Sequence, residues 1–476
     1  MATPLPRIDA RFTLGEVAAA TAGARSGDAA QVLTGVSTDS RALARGGLFV
    51  ALRGERFDGH THVAAALAGG AAAALVERGR GDVPGPSVEV DDTLRALADL
   101  ARAHLRRHRA RRALPLVAVS GAVGKTTTKE LLAAALGAAF GPCLAPDGNL
   151  NNLVGAPVTA LTLAEHHRAA VIECGSNARG EIARIAAMAE PDVALCLNAD
   201  IAHAEGVGSV EDVADEEGAV FAWAGRAALG NADEPVSRAR MALARDGVAR
   251  WTFGVAPEAT VRLAARVVEP DGIARLEVTL DPARLRLTDG PLVVRTRLLG
   301  PAVATNFAAA LGAVAALGVD EAAMRRAAVA LGAVPPVPGR LVPRTLRGAL
   351  VLDDTYNASP RAVRAALAAA RELADARGAR LVVALGDMLE LGAWSDAAHA
   401  EAVEEAARAG AAVLVACGAA MTRGAARGAG AAEVVCVPDS VAAGEALRAR
   451  VRAGDVVLVK GSRGTRMERA VGALED

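Results

Sequence analysis

Leu116-Val-Ala-Val-Ser-Gly-Ala-Val-Gly-Lys-Thr-Thr-Thr128 is the stretch around which this 476-residue chain is organised. Leu116 to Val119 is an apolar, β-branched run of the length of a buried parallel strand. Past the turn, Lys129 to Leu136 continues with helical character. The reading is strand, glycine turn, helix. Gly121 and Gly124 let backbone N–H groups converge, and the helix N-terminus adds partial positive charge, so the run Gly121-Ala122-Val123-Gly124-Lys125-Thr126-Thr127 can cradle a polyphosphate. Lys125 then meets the outer phosphates and Thr126 a magnesium ion. The spacing is Gly-x-x-Gly-Lys-Thr, and the longer Walker pattern wants a glycine at 119, where Val119 stands. An ordinary glycine-bearing βα turn is the competing reading.

Working outward, 476 residues are too many for one ordinary core, and two to four domains are expected. Hydrophobic residues are 52% of the chain but aromatics only 2%, so the cores must be built from Ala, Leu and Val. Lys plus Arg (53) nearly balance Asp plus Glu (54), which argues against a nucleic acid held by bulk charge. No segment reads as a membrane span or a secretion signal, so a cytoplasmic protein is expected. Five scattered cysteines without a Cys-x-x-Cys pair speak against structural disulfides and zinc.

The fold class expected is α/β in three domains: a small N-terminal α/β domain (1–113), a central P-loop-type mononucleotide-binding domain (114–333) and a C-terminal doubly wound α/β domain (334–476). In the first, the polar loop Ser37-Thr38-Asp39-Ser40-Arg41 reads from spacing alone more readily as a solvated turn than as a binding loop. A helix over 91–112 ends in a basic run, Arg106 to Arg112, taken as a solvated face before the Pro115 boundary. In the second, Gly148-Asn149-Leu-Asn151-Asn152 is denser in amides than a turn needs. Ala169 to Ile172 is a strand ending in Glu173, which falls beside the phosphate loop if its strand neighbours the first. His203 lies in the next strand-end loop, where an imidazole can ligate a metal or stay exposed. Ser209 caps a helix with Asp212 as partner, and Val210, Val213, Glu217 and Phe221 form its inward stripe while Asp215 and Glu216 point elsewhere. A carboxylate on a buried stripe is costly unless paired or metal-bound. Residues 250–300 read as β-rich, Asn306 to Leu317 as a helix, and Pro335 to Arg340 as a stiff connector. Beyond it, every polar motif falls at a strand end: Asp353-Asp-Thr-Tyr356-Asn357, Gly386 to Gly392 and Lys460 to Thr465.

Taken in order, these motifs resemble the Mur ligase family over nearly the whole chain: Ser37 to Arg41, Gly148 to Asn152, Ala202-His-Ala-Glu-Gly206, Asp353 to Asn357, Gly386-Asp-Met-Leu-Glu-Leu-Gly392 and Lys460-Gly-Ser-Arg463. The Asp-Thr-Tyr-Asn-Ala-Ser-Pro and Gly-Asp-Met-Leu-Glu-Leu-Gly runs look like those of the branch that joins D-alanyl-D-alanine to UDP-N-acetylmuramoyl-tripeptide. The resemblance implies a monomeric, ATP- and magnesium-dependent enzyme of peptidoglycan synthesis that activates a carboxylate as an acyl phosphate. Lys125, Glu173 and His203 are then catalytic. Thr126, Glu173 and His203 hold magnesium, Ser37 to Arg41 with Asn149, Asn151 and Asn152 hold the uridine substrate, and Asn306, Arg340, Asp353, Tyr356 and Asn357 contact ATP.

Two positions depart from the family pattern. Where the family has a carbamylated lysine as a further metal ligand, four residues before an aromatic, this chain has Glu217 before Phe221, a native carboxylate from which activity independent of carbon dioxide is expected. Where the family has Gly-x-His-Asn-x-x-Asn, this chain reads Gly300-Pro-Ala302-Val303-Ala-Thr-Asn306, which puts ATP affinity or base selectivity in question. The alternatives are a sibling ligase with another amine acceptor and a nucleotide-binding scaffold that has lost catalysis.

Overall fold

The computed structural model describes residues 4–54, 57–80, 83–199, 209–269, 273–426 and 433–475. At its centre is a nine-stranded sheet with Leu116–Ser120 inside it, every residue of that strand buried. Seven strands run parallel, in the order Cys143–Leu144, Ala169–Glu173, Leu116–Ser120, Val193–Cys196, Ala227–Asn231, Ala249–Gly254 and Val261–Val268. Ala274–Leu280 and Leu292–Thr296 extend the far edge antiparallel. The condition set for Glu173 is met: its strand pairs directly with the phosphate-loop strand, Glu173 opposite Val119.

The turn after Leu116–Ser120 requires glycine. Gly121 has φ +138°, and a Cβ there would sit 2.9 Å from the Leu197 side chain. Gly124, φ +92°, is the N-cap of the helix Lys125–Phe140. Leu131, Leu132 and Leu136 of this helix pack on one face of the sheet with Phe307 and Leu311 of the helix Pro301–Ala316. That second helix begins five residues before the expected Asn306. Gly300 takes φ +99°, and Pro301, whose missing N–H costs nothing in a first turn, starts the helix at once.

The other face of the sheet packs on Ile182 and Ile185 of the helix Glu181–Ala189 and on the long helix Thr93–Arg111, in a cluster that also contains Leu48 and Leu75 of a first, five-stranded sheet. The basic end of the long helix is therefore a junction rather than the solvated face expected. Arg106 pairs with Glu190, Arg109 with Asp192 at 3.0 Å, and Arg111 and Arg112 with Glu165.

The last sheet has six strands in the order Val342–Leu346, Ala349–Asp354, Val456–Lys460, Leu381–Gly386, Ala411–Cys417 and Glu433–Val437, parallel apart from the first. Neighbours that are non-consecutive in sequence mark crossovers, and ligands of such open sheets gather at the carboxyl ends of the strands.

Candidate active site

Those carboxyl ends face the phosphate loop across a cavity of about 850 Å³. The central sheet contributes Ala122 to Thr127, Asn149, Asn151, Glu173, Asn198, Asn231 and Asn306. The last sheet contributes Arg340, Asp354, Tyr356, Asn357, Glu390, Lys460 and Arg463. Residues more than three hundred positions apart thus share one space.

Lys125 donates its ammonium hydrogen bond to the Gly121 carbonyl, with Glu217 Oε1 at 3.9 Å. Thr126 Oγ1 lies 3.5 Å from Glu173 Oε1, which also accepts from Asn151 Nδ2 at 2.8 Å. Glu173 is 1% exposed and its second oxygen, Oε2, has no hydrogen-bond partner. An orphaned buried carboxylate oxygen needs a cation, and one beside a P-loop threonine fits magnesium, which binds through one or two carboxylates and keeps its waters. Among the described residues no group of three or more His, Cys, Asp or Glu side chains could enclose a metal. His203 and the loop Ala202–Gly206 lie outside the described residues.

Glu217 is buried, as the stripe required, and its Oε2 accepts the Gly121 N–H at 2.6 Å. Burial pushes its carboxyl pKa up, against the pull of the Lys125 charge and the Gly121 N–H. Ser209 caps this helix with Asp212 as expected, but Glu216 does not point outward. It is buried too, and its oxygens accept the N–H groups of Gly180 (2.6 Å) and Ile182 (2.9 Å), closing the start of the helix Glu181–Ala189. Both glutamates lie in the last turn of the helix Val210–Gly218, where neighbouring positions about 100° apart each meet a buried partner. Cys174, next to Glu173, is a buried free thiol whose pKa burial pushes up.

On the opposite wall, Arg340 Nη2 donates to Thr126 Oγ1 at 3.3 Å, linking the last sheet to the phosphate loop. Its guanidinium stacks on Tyr356 at 4.5 Å, and Arg463 stacks on the same ring at 5.1 Å. Asn357 lines the cavity, but Asp353 does not: its carboxylate turns back to the Thr355 N–H and hydroxyl. The neighbour Asp354 takes its place, 2.6 Å from Lys460 Nζ, since successive strand residues face opposite sides. Asn152 also leaves the expected set, its side-chain oxygen accepting the N–H groups of Val154 and Gly155 at a helix start. The loop Ser37 to Arg41 is not part of this wall. Arg41 instead pairs with Asp39, holding its carboxyl at about 2. Lys460, Asp354, Arg361 and Glu234 were missed as site residues; position at a strand end was the signal that marked the first two.

Ala302 and Val303 line the cavity with Leu298, Leu299 and Pro301, so that end is apolar, while Asn306 is buried against Gly124.

Comparison with known proteins agrees with this layout. Family models match in sequence order: the Mur ligase family catalytic domain over residues 32–105, the Mur ligase middle domain over 119–314, and the Mur ligase glutamate ligase domain over 339–463. A protein of Escherichia coli K12 named UDP-N-acetylmuramoyl-tripeptide–D-alanyl-D-alanine ligase is 37% identical over 93% of this chain and 94% of its own length. One of the same name from Mycobacterium bovis is 35% identical over 92% and 91%. Among solved structures, MurF of Acinetobacter baumannii superposes with TM-score 0.85 at 27% identity, covering 99% of this chain and 100% of that one. MurF of Thermotoga maritima, solved with ADP, gives 0.79 at 28% over 92% and 96%. Relatives of this identity span the five-, nine- and six-stranded sheets and the cavity, so the chain belongs to the Mur ligase family, and within it to the MurF type.

Proposed function

We propose that the chain joins D-alanyl-D-alanine to the terminal carboxylate of UDP-N-acetylmuramoyl-tripeptide, at the expense of ATP, in peptidoglycan precursor synthesis. The observation that carries this reading is the shared cavity, in which a phosphate loop meets Arg340, Tyr356 and Lys460 from another sheet. A carboxylate is a poor electrophile, and phosphoryl transfer to it supplies a leaving group. The amine of the dipeptide then attacks the acyl carbon and phosphate departs.

In this reading the backbone of Ala122 to Thr127 holds the triphosphate, and Lys125 leaves the Gly121 carbonyl to neutralise the transferred phosphoryl group. Arg340, already reaching Thr126, adds a second cation from the closing side. Thr126 and Glu173, with its orphaned oxygen, are the residues that would hold magnesium, with His203 as a further ligand. Bound there, magnesium supplies charge neutralisation for the phosphates. Glu217, beneath the loop against the Gly121 N–H and beside Lys125, stands where the family has its carbamylated lysine, without any need for carbon dioxide. Asn149 and Asn151 face the substrate carboxylate, and Ser37 to Arg41 hold the uridine nucleotide. Residues 1–113, 114–333 and 334–476 then act as uridine-binding, ATP-binding and closing units, as a monomer in the cytoplasm, where ATP is made.

Phosphate release tests the proposal. Turnover should require ATP, magnesium, the tripeptide and D-alanyl-D-alanine together. A different amine supporting faster release would assign the chain to a sibling activity, and ATP binding without release would make it a scaffold.

A further inference from the structure

The cavity holds five carboxylates. Asp233 accepts the N–H groups of Val255 and Ala256, Glu234 pairs with Arg361, and Asp354 pairs with Lys460. Glu173 is the buried group beside Thr126. Glu390, on the last sheet's wall, is exposed and has no hydrogen-bond or ion-pair partner among the described residues.

Glu390 is also held in an unusual way. It takes φ +64°, the left-handed region that disfavours side chains with a Cβ, in a loop where glycine would be easier. The loop is fixed on both sides. His399, fully buried, accepts the Met388 N–H on Nε2 at 2.8 Å and donates from Nδ1 to the Ser395 carbonyl at 2.6 Å. Ser462 Oγ accepts the Leu389 N–H at 2.9 Å, and the Ser462 N–H donates to the Asp387 carbonyl at 3.1 Å. A strained residue persists only where its surroundings over-determine it, and such residues gather where the side chain has a task.

The task follows from charge. The reaction brings in an amine that is an ammonium at neutral pH and must be drawn into a cavity whose phosphate side carries Lys125, with Arg340 reaching toward it from the last sheet. A partner-free carboxylate on the opposite wall suits that cation. Resting on the ligase reading above, we propose that Glu390 is the specificity-determining residue that receives the ammonium of the incoming dipeptide.

The experiment is steady-state kinetics of Glu390→Gln and Glu390→Gly on the full chain, with a thermal melt of each. Glu390→Gln should raise KM for D-alanyl-D-alanine roughly 10- to 100-fold, the loss expected for one charge-assisted hydrogen bond, with the KM values for ATP and tripeptide changing less than about threefold. Glu390→Asp should recover part of the loss. Glu390→Gly should show the same KM defect yet melt no lower than the parent, because glycine relieves the left-handed backbone. An unchanged dipeptide KM in both Gln and Gly variants would overturn the proposal. So would equal rises in all three KM values, which would mark a loop that merely fell out of place. If the parent enzyme turns over no D-alanyl-D-alanine, the ligase reading itself fails.

Discussion

Glu217 shows how far a single residue could be read. Its spacing from Val210 and Val213 put it on the buried side, and its carboxylate does reach the phosphate loop. Its partner, the Gly121 N–H, could not be read, because that contact joins elements 96 residues apart. Glu217→Gln keeps an acceptor for Gly121 but removes the charge. It should raise the magnesium concentration for half-maximal activity about tenfold or more while the melting temperature stays nearly constant. Glu217→Ala leaves the Gly121 N–H unpaired and should also cost about 1–3 kcal/mol of stability. Wild-type turnover should be unaffected by stripping bicarbonate from the buffer; a requirement for added bicarbonate would refute the role given to Glu217. His104 is a second residue with a legible consequence. Its Nε2 donates to the Leu163 carbonyl at 2.9 Å while Nδ1 accepts from Arg107, and burial holds the imidazole down to about 4. The folded protein then keeps His104 neutral while the unfolded chain protonates near 6.5, so stability present above pH 6.5 is lost as pH falls toward 4, by up to about 3 kcal/mol. Thermal melts of the parent and His104→Gln across that window should diverge, with the variant flatter.

Elements were legible where local chemistry decides them. The phosphate-loop strand and helix, the Ser209 cap and the strand-end position of each polar motif followed from periodicity and turn residues. A reading that starts the helix at Asn306 misses its start at Pro301, because proline is a breaker inside a helix but suits its first turn. The loop of three asparagines was read as one binding element, but it divides: Asn151 faces Glu173 and Asn152 caps a helix. Its anchor is Lys129 in the phosphate-loop helix, 1% exposed, whose Nζ donates to the Pro146 carbonyl at 2.9 Å and pairs with Glu130. Lys129→Met removes the donor while filling the space. We expect about 1–3 kcal/mol of lost stability, faster amide exchange over 146–152, and a several-fold higher KM for the tripeptide. Unchanged exchange over that loop would remove Lys129 from its support.

At the scale of the molecule, three α/β units were legible from alternating strands and helices, but their mutual contacts were not, since no periodicity encodes a pairing between surfaces. Arg361 pairs with Glu234 and Arg266 with Glu372, each joining the last unit to the central one. Both pairs are partly exposed, so each is worth on the order of 1 kcal/mol. A double-mutant cycle over Arg361→Ala and Glu234→Ala should return a coupling of about that size. Small-angle scattering should show the single variants more extended without nucleotide than the parent, and a parent and variants of equal size would mean that these pairs do not set the arrangement.

The aromatic poverty of the chain has a practical corollary. Its sole tyrosine, Tyr356, lies between two guanidiniums on the wall that meets the phosphate loop. Isotope-labelled tyrosine would therefore give the signals of a single ring, already sited at the heart of the machine, and their chemical shifts would follow each nucleotide and substrate as it arrives, with no engineered probe.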